Sequence, residues 1–256
     1  MKRKVERIAN NLAKRLSTLE GVEAITLAEL VAEEIADPYF FLSLDVYYRG
    51  KIPDPSSREG LFSGSGAFES SNVAAKDRFL IEGLPIRVEY KDIARIESIL
   101  GKVERNLMVF RQTGTYMLHR LENSEVLFKK SLWIDFMREE LKALPASFWS
   151  MLASSAQATM EHYLSDLTAA VMHGDRFFYL ISAAGFIKSY CSLLFVLNHR
   201  FEPSGRVLAE RVHELPHLPE NFRGRFETFL KEDPEFTPAR KREIAELLAR
   251  GVLPIT

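Results

Sequence analysis

The chain has 256 residues, long for one compact core and ample for two modest domains. Hydrophobic residues make up 46 %, so nothing in the composition argues for disorder. Lys plus Arg number 34 against 35 Asp plus Glu, which supplies no field of the kind that makes nucleic acid or an anionic membrane the main partner.

Cys191 is the one cysteine, which excludes an internal disulfide, and its apolar surroundings read as those of a buried structural thiol. No apolar run follows the charged start (Lys2, Arg3, Lys4, Glu6, Arg7), so no secretion signal is read and the cytoplasm is the expected compartment. Phe177 to Leu197 approaches membrane-spanning length with one charge, Lys188. Ser182, Gly185, Ser189, Tyr190 and Ser192 inside it favour a central helix buried by its neighbours, and no membrane partner is expected.

In chain order, residues 2–19 carry Val5, Ile8, Ala9, Leu12 and Leu16 at helical spacing, and Gly21 ends that helix. A first strand is predicted over 22–27 and one or two helical turns over 29–36. The stretch 37–48 is a turn feeding a second strand, with Leu42, Leu44, Val46 and Tyr48 on one face and Phe41, Ser43, Asp45 and Tyr47 on the other. Residues 49–57 have turn chemistry, and loop composition continues through Gly60, Gly64 and Gly66 to Ser71. The third strand, 84–90, turns Leu84, Ile86, Val88 and Tyr90 inward and Arg87 and Glu89 outward. A helix follows over 91–100. Helices are then predicted over 132–141, 148–172, 177–198, 207–212, 221–230 and 238–249, with no strand beyond about residue 91. The expected fold is therefore α+β: a mixed sheet flanked by helices over 1–110, then an all-α helical bundle over 111–256.

This order of parts, with Gly21-Val22-Glu23-Ala24-Ile25-Thr26-Leu27, Ala36-Asp37-Pro38-Tyr39, Asp45-Val46-Tyr47-Tyr48 and Leu84-Pro85-Ile86-Arg87-Val88-Glu89-Tyr90, resembles the polymerase-β-type nucleotidyltransferase superfamily. The particular likeness is to the bacterial two-domain proteins with a kanamycin-nucleotidyltransferase-like layout, and Leu194 to Pro203 resembles their helical part. The resemblance implies a Gly-Ser pair after strand one, where helix N–H groups meet nucleotide phosphates. It also implies an Asp-x-Asp pair on strand two with a third carboxylate on a neighbouring strand, together holding Mg²⁺ for in-line displacement. Here those positions read Ala28-Glu29-Leu30 and Phe41-Leu42-Ser43. Asp45 and Glu89 remain as the candidate catalytic and metal-ligating pair, Asp45 lying two residues (~7 Å) further along the strand. The competing reading leaves both as surface carboxylates, solvated or paired with Arg87 or Arg49.

Arg49 and Lys51 are candidate nucleotide contacts, as are Lys76-Asp77-Arg78, while Gly64-Ser65-Gly66 reads as a surface loop. The histidines show no metal-ligand spacing, and Arg206 with His213 forms a remote nuclease-like alternative in the helical half. The expected function is a nucleotidyltransferase-fold protein with a degenerate metal site: a pseudoenzyme serving as a nucleotide-sensing or interaction module. The alternative is an active Mg²⁺-dependent enzyme passing a nucleotidyl group from a nucleoside triphosphate to a small-molecule or protein hydroxyl. Expected ligands are a nucleotide or other small molecule in an interdomain cleft, with Mg²⁺ and a nucleoside triphosphate only if the site is active. A protein partner is also expected.

Overall fold

A computed structural model describes residues 2–28, 40–62, 66–71, 75–103, 106–233 and 235–252. The expected helical turns at 29–36 and the Asp37-Pro38-Tyr39 turn lie outside the described residues. The elements run α1 (Lys2–Leu16), β1 (Val22–Leu27), β2 (Leu42–Tyr48), α2 (Pro55–Leu61), β3 (Gly66–Ser71), β4 (Lys76–Ile81), β5 (Leu84–Asp92) and α3 (Ile93–Leu100). They continue with α4 (Leu107–Thr113), α5 (Tyr116–Asn123), β6 (Glu125–Lys129), α6 (Trp133–Lys142), α7 (Ala146–His173) and α8 (Arg176–Leu197). Last come α9 (Leu208–Arg211) with a following 3₁₀ turn, α10 (Phe222–Leu230) and α11 (Pro238–Val252). The fold is α+β, with one mixed sheet and a helical region.

The six strands lie in the order β3-β4-β5-β2-β1-β6. Only the central pair, β2 and β5, is parallel, and every other pairing is antiparallel. Period-two alternation sets the inner face: Leu42, Leu44 and Val46 of β2 and Leu84, Ile86 and Val88 of β5 are buried with Val5, Ile8, Leu12 and Leu16 of α1. Gly21 allows the α1–β1 turn. Its φ is +81°, and a Cβ there would fall 2.3 Å from the Arg49 carbonyl oxygen, so only glycine lets the two backbones meet.

Three local expectations are corrected. Residues 55–61 form a helix instead of a turn, because Asp54 caps it by accepting from the Ser57 N–H at 3.0 Å and Pro55 occupies its first turn. Residues 66–71, expected as loop, form β3, which pairs antiparallel with β4, so Lys76, Asp77 and Arg78 stand on a strand and not in a loop. A strand also appears beyond residue 91: β6 pairs with β1 and supplies the sheet's far edge.

That last strand changes the organisation of the chain. It divides into two compact units, one of residues 1–103 and 117–143 and the other of 104–116 and 144–256. The division thus does not fall at residue 110, because α5, β6 and α6 return to the sheet. In the second unit, Phe186, Tyr190 and Leu194 of α8 pack with Leu167 of α7, Phe222 and Phe226 of α10, and Leu248 of α11. α8 is the one helix, among the described residues, long and apolar enough to cross a membrane. Half of its most apolar stretch is buried in this unit's core. α11 runs past Gly251 to Val252.

Candidate functional site: a charged face of the central strands

Alternation turns Ser43, Asp45 and Tyr47 of β2 away from the α1 face, and the parallel register sets them beside Arg87, Glu89 and Lys91 of β5. Asp45 and Glu89, the predicted pair, are therefore cross-strand neighbours. Glu89 lies within ion-pair distance of Arg87, as the competing reading expects, but the surroundings of Asp45 differ from both expectations. Asp45 is fully buried, so it is not a surface carboxylate. Arg120 of α5 grips it bidentately, with Nε 2.8 Å from Oδ2 and Nη2 2.7 Å from Oδ1. The same Nη2 donates to the Ser43 hydroxyl at 2.8 Å, and Lys91 Nζ stands 3.4 Å from Asp45 Oδ1.

Glu89 is partly open to solvent. Lys76 Nζ lies 3.2 Å away, Lys91 Nζ 3.7 Å, Arg120 Nη1 3.8 Å and Arg87 Nη1 3.9 Å. Arg87 also stacks over the Phe41 ring, 4.2 Å from its centroid. Two carboxylates are thus faced by four cationic side chains, Arg120, Lys91, Lys76 and Arg87. Burial pushes the Asp45 carboxyl up despite Lys91 and Arg120. At Glu89 burial acts in the same direction, but Arg120, Lys91 and Lys76 outweigh it and hold the group below its usual range.

This donor set does not fit a pair of Mg²⁺ ions. Magnesium needs oxygen ligands free to coordinate it, whereas both Asp45 oxygens already accept from a guanidinium and Ser43 offers a neutral hydroxyl. The excess of positive charge around the pair opposes a further divalent cation. Among the described residues, no group of three His, Cys, Asp or Glu side chains comes together as a metal site.

Of the other predicted contacts, Arg49 is engaged with Glu97, Nη2 to Oε1 at 2.7 Å, and Glu97 also accepts from the Trp133 indole at 3.0 Å. Lys51 is exposed. Asp77 is buried with Arg58 on the opposite face, where Arg58 Nε reaches Asp77 Oδ2 at 3.0 Å and the Tyr90 hydroxyl donates to Oδ2 at 2.7 Å. It belongs to the core. His213 packs against the rings of Phe222 and Phe226, each 5.4 Å away, while Arg206 is exposed. Sequence reasoning missed Arg120 altogether, since a lone arginine 75 residues from Asp45 has no local signature. Residues 29–30 and 63–65 lie outside the described residues.

A family model described as a domain of unknown function (DUF4037) matches residues 101–206. No curated protein matches the chain. Among solved structures, the chain is similar to a nucleotidyltransferase-like protein from Exiguobacterium sibiricum 255-15, with 12 % identity and a TM-score of 0.49 over 94 % of this chain and 73 % of that one.

Proposed function

We propose that the first unit is a nucleotidyltransferase-like module in which an internal guanidinium has replaced the metal ions, so that the chain serves as a nucleotide-sensing or interaction module and not as a metal-dependent transferase. One observation carries this reading: Arg120 occupies both oxygens of Asp45, on the strand face where the superfamily resemblance calls for metal-binding carboxylates. A guanidinium is held at full charge at every pH a protein survives, so it neutralises Asp45 permanently and without exchange. The partly exposed cations around Glu89 (Lys76, Arg87 and Lys91) then offer a place for an anionic phosphate chain that needs no bridging metal.

Calorimetric titration of ATP, CTP, GTP and UTP, each with and without Mg²⁺, tests this directly. Binding should be independent of Mg²⁺ and should weaken in Lys91→Ala and Arg87→Ala. In parallel, transfer of radiolabel from each triphosphate to the protein or to added hydroxyl acceptors should be absent. Transfer that disappears in Asp45→Ala would overturn the proposal in favour of an active enzyme.

A further inference from the structure

The second unit carries an open cavity of about 480 Å³, a size typical of small-molecule sites. α4, the turn after it, one face each of α7 and α8, and the loop at 202–205 form its walls. The faces that α7 and α8 turn toward it are not those of a filled core. α8 presents Gly185, Lys188, Ser189 and Ser192, and α7 presents Ser155 and Thr159. Apart from Lys188, these short side chains leave the space that leucines would close. Leu152 and Val196 add apolar wall. The Tyr163 ring packs closely against α8 at Gly185, where a Cβ would come within 2.4 Å of it.

One acid faces this space. The Glu202 carboxylate lies over Gly114, with Oε2 3.8 Å from where a Cβ would stand, and the Glu202 N–H donates to Thr115 Oγ1 at 2.8 Å, fixing the loop. Burial pushes its carboxyl up, and the neighbouring Ser192 hydroxyl and Lys188 ammonium pull it the other way. Additional donors would therefore stabilise its ionised form.

We propose that this cavity binds a small molecule bearing vicinal hydroxyl groups, both donating to the Glu202 carboxylate while an apolar ring face packs on Tyr163. Two neighbouring hydroxyls match the two oxygens of one carboxylate, and the wall hydroxyls serve the remaining polar atoms of such a ligand. Ser189 and Thr159 donate to the backbone of their own helices, at 2.8 and 2.9 Å, so each oxygen can still accept. A cationic amine is disfavoured by Lys188 and Arg111 in the same wall, and a purely apolar ligand would strand Glu202. The family match at residues 101–206 contains every lining residue except Leu208, yet leaves out Asp45 and Glu89. The inference is independent of the nucleotide reading of the first unit.

A free sugar and the ribose of a nucleoside both carry this chemistry. The full chain is titrated by saturation-transfer NMR and calorimetry with D-ribose, D-glucose and D-galactose, with the four common ribonucleosides, and with their 2′-deoxy counterparts. None carries a phosphate, so the cations beside Glu89 do not contribute to the signal. At least one diol-bearing probe should bind. Sugar-only binding identifies a saccharide site, and ribonucleoside binding with about tenfold or greater loss in the deoxy form identifies the ribose. Glu202→Gln and Ser192→Ala should each weaken binding, with folding checked by circular dichroism. Should Glu202→Gln not fold, Ser192→Ala and Thr159→Val decide the matter. The proposal is overturned if no diol binds at millimolar concentration, if deoxy and ribo forms bind equally, or if the folded variants bind as the parent does.

Discussion

The two units use carboxylates in opposite ways. In the sheet, Asp45 and Glu89 stand among four cationic side chains, and Asp45 has both oxygens occupied by Arg120. In the helical unit, Glu202 faces a cavity with the Ser192 hydroxyl and the Lys188 ammonium in the same wall. A carboxylate already saturated by its own chain is held for the fold. One that burial leaves under-solvated beside open space retains capacity for a ligand. Proximity of acidic groups in sequence or on a strand does not distinguish these cases; the identity of their partners does.

The sharpest way to break the comparison is to remove the saturating cation. Arg120→Ala leaves buried Asp45 without its hydrogen-bonding guanidinium, with Lys91 as its remaining cation, and should cost about 3 kcal/mol in denaturant unfolding. Replacing both partners, as Asp45→Leu with Arg120→Met, should recover most of that loss, because the pair's desolvation disappears with its attraction. A double variant no more stable than Arg120→Ala would mean that Asp45 is not held by this pair. Gly21→Ala tests the framework of the same sheet, and the strain of a positive φ with a Cβ against the Arg49 carbonyl should cost about 1–3 kcal/mol or more.

A finer contrast lies in pH dependence. Glu89 is held below its ordinary value, so its contribution is present above pH 4.5 and is lost as the pH falls through the depressed range. Glu202 is raised, so its contribution is present below pH 4.5 and is lost as the pH climbs through the elevated range. From about pH 3 to pH 4.5, Glu89→Gln should therefore become progressively worse relative to the parent chain as pH rises, and then level off. Glu202→Gln should become progressively better as pH rises from 4.5 toward about pH 7. Parallel slopes for the two variants would refute the contrast. The smallest effect belongs to Arg49→Ala: its pair with Glu97 is solvent-exposed, and its loss should shift stability by about 0.5 kcal/mol or less.

Much of the sheet was legible in advance, because alternation is a short-range signal. Leu42, Leu44, Val46, Ile86 and Val88 are buried on one face as their spacing predicts. The long helices 146–173 and 176–197 were also readable from length and apolar content. The α2 start carried a usable signal in Asp54-Pro55, a cap followed by a first-turn proline, which the surrounding turn residues obscured. β3, β4 and β6 were missed for a different reason. Gly66-Ala67-Phe68-Glu69-Ser70-Ser71 and Glu125-Val126-Leu127-Phe128-Lys129 acquire strand character from the neighbours they pair with. The candidate site failed to appear for the same reason on a larger scale. Asp45 and Glu89 could be named from the strand pattern, but Arg120 and Lys76, which decide their roles, arrive through tertiary pairing.

The late return of residues 117–143 to the sheet has a practical outcome for anyone dissecting this polypeptide. A fragment stopped at residue 103 or 110 would bare the β1 edge, inviting strand-to-strand self-association, and would strip Asp45 of its guanidinium clamp. The shortest piece with a realistic prospect of folding extends through Ala143, with 104–116 either retained or bridged by a flexible spacer. The helical portion, entered twice, would correspondingly need its α4 segment supplied by tethering or co-expression.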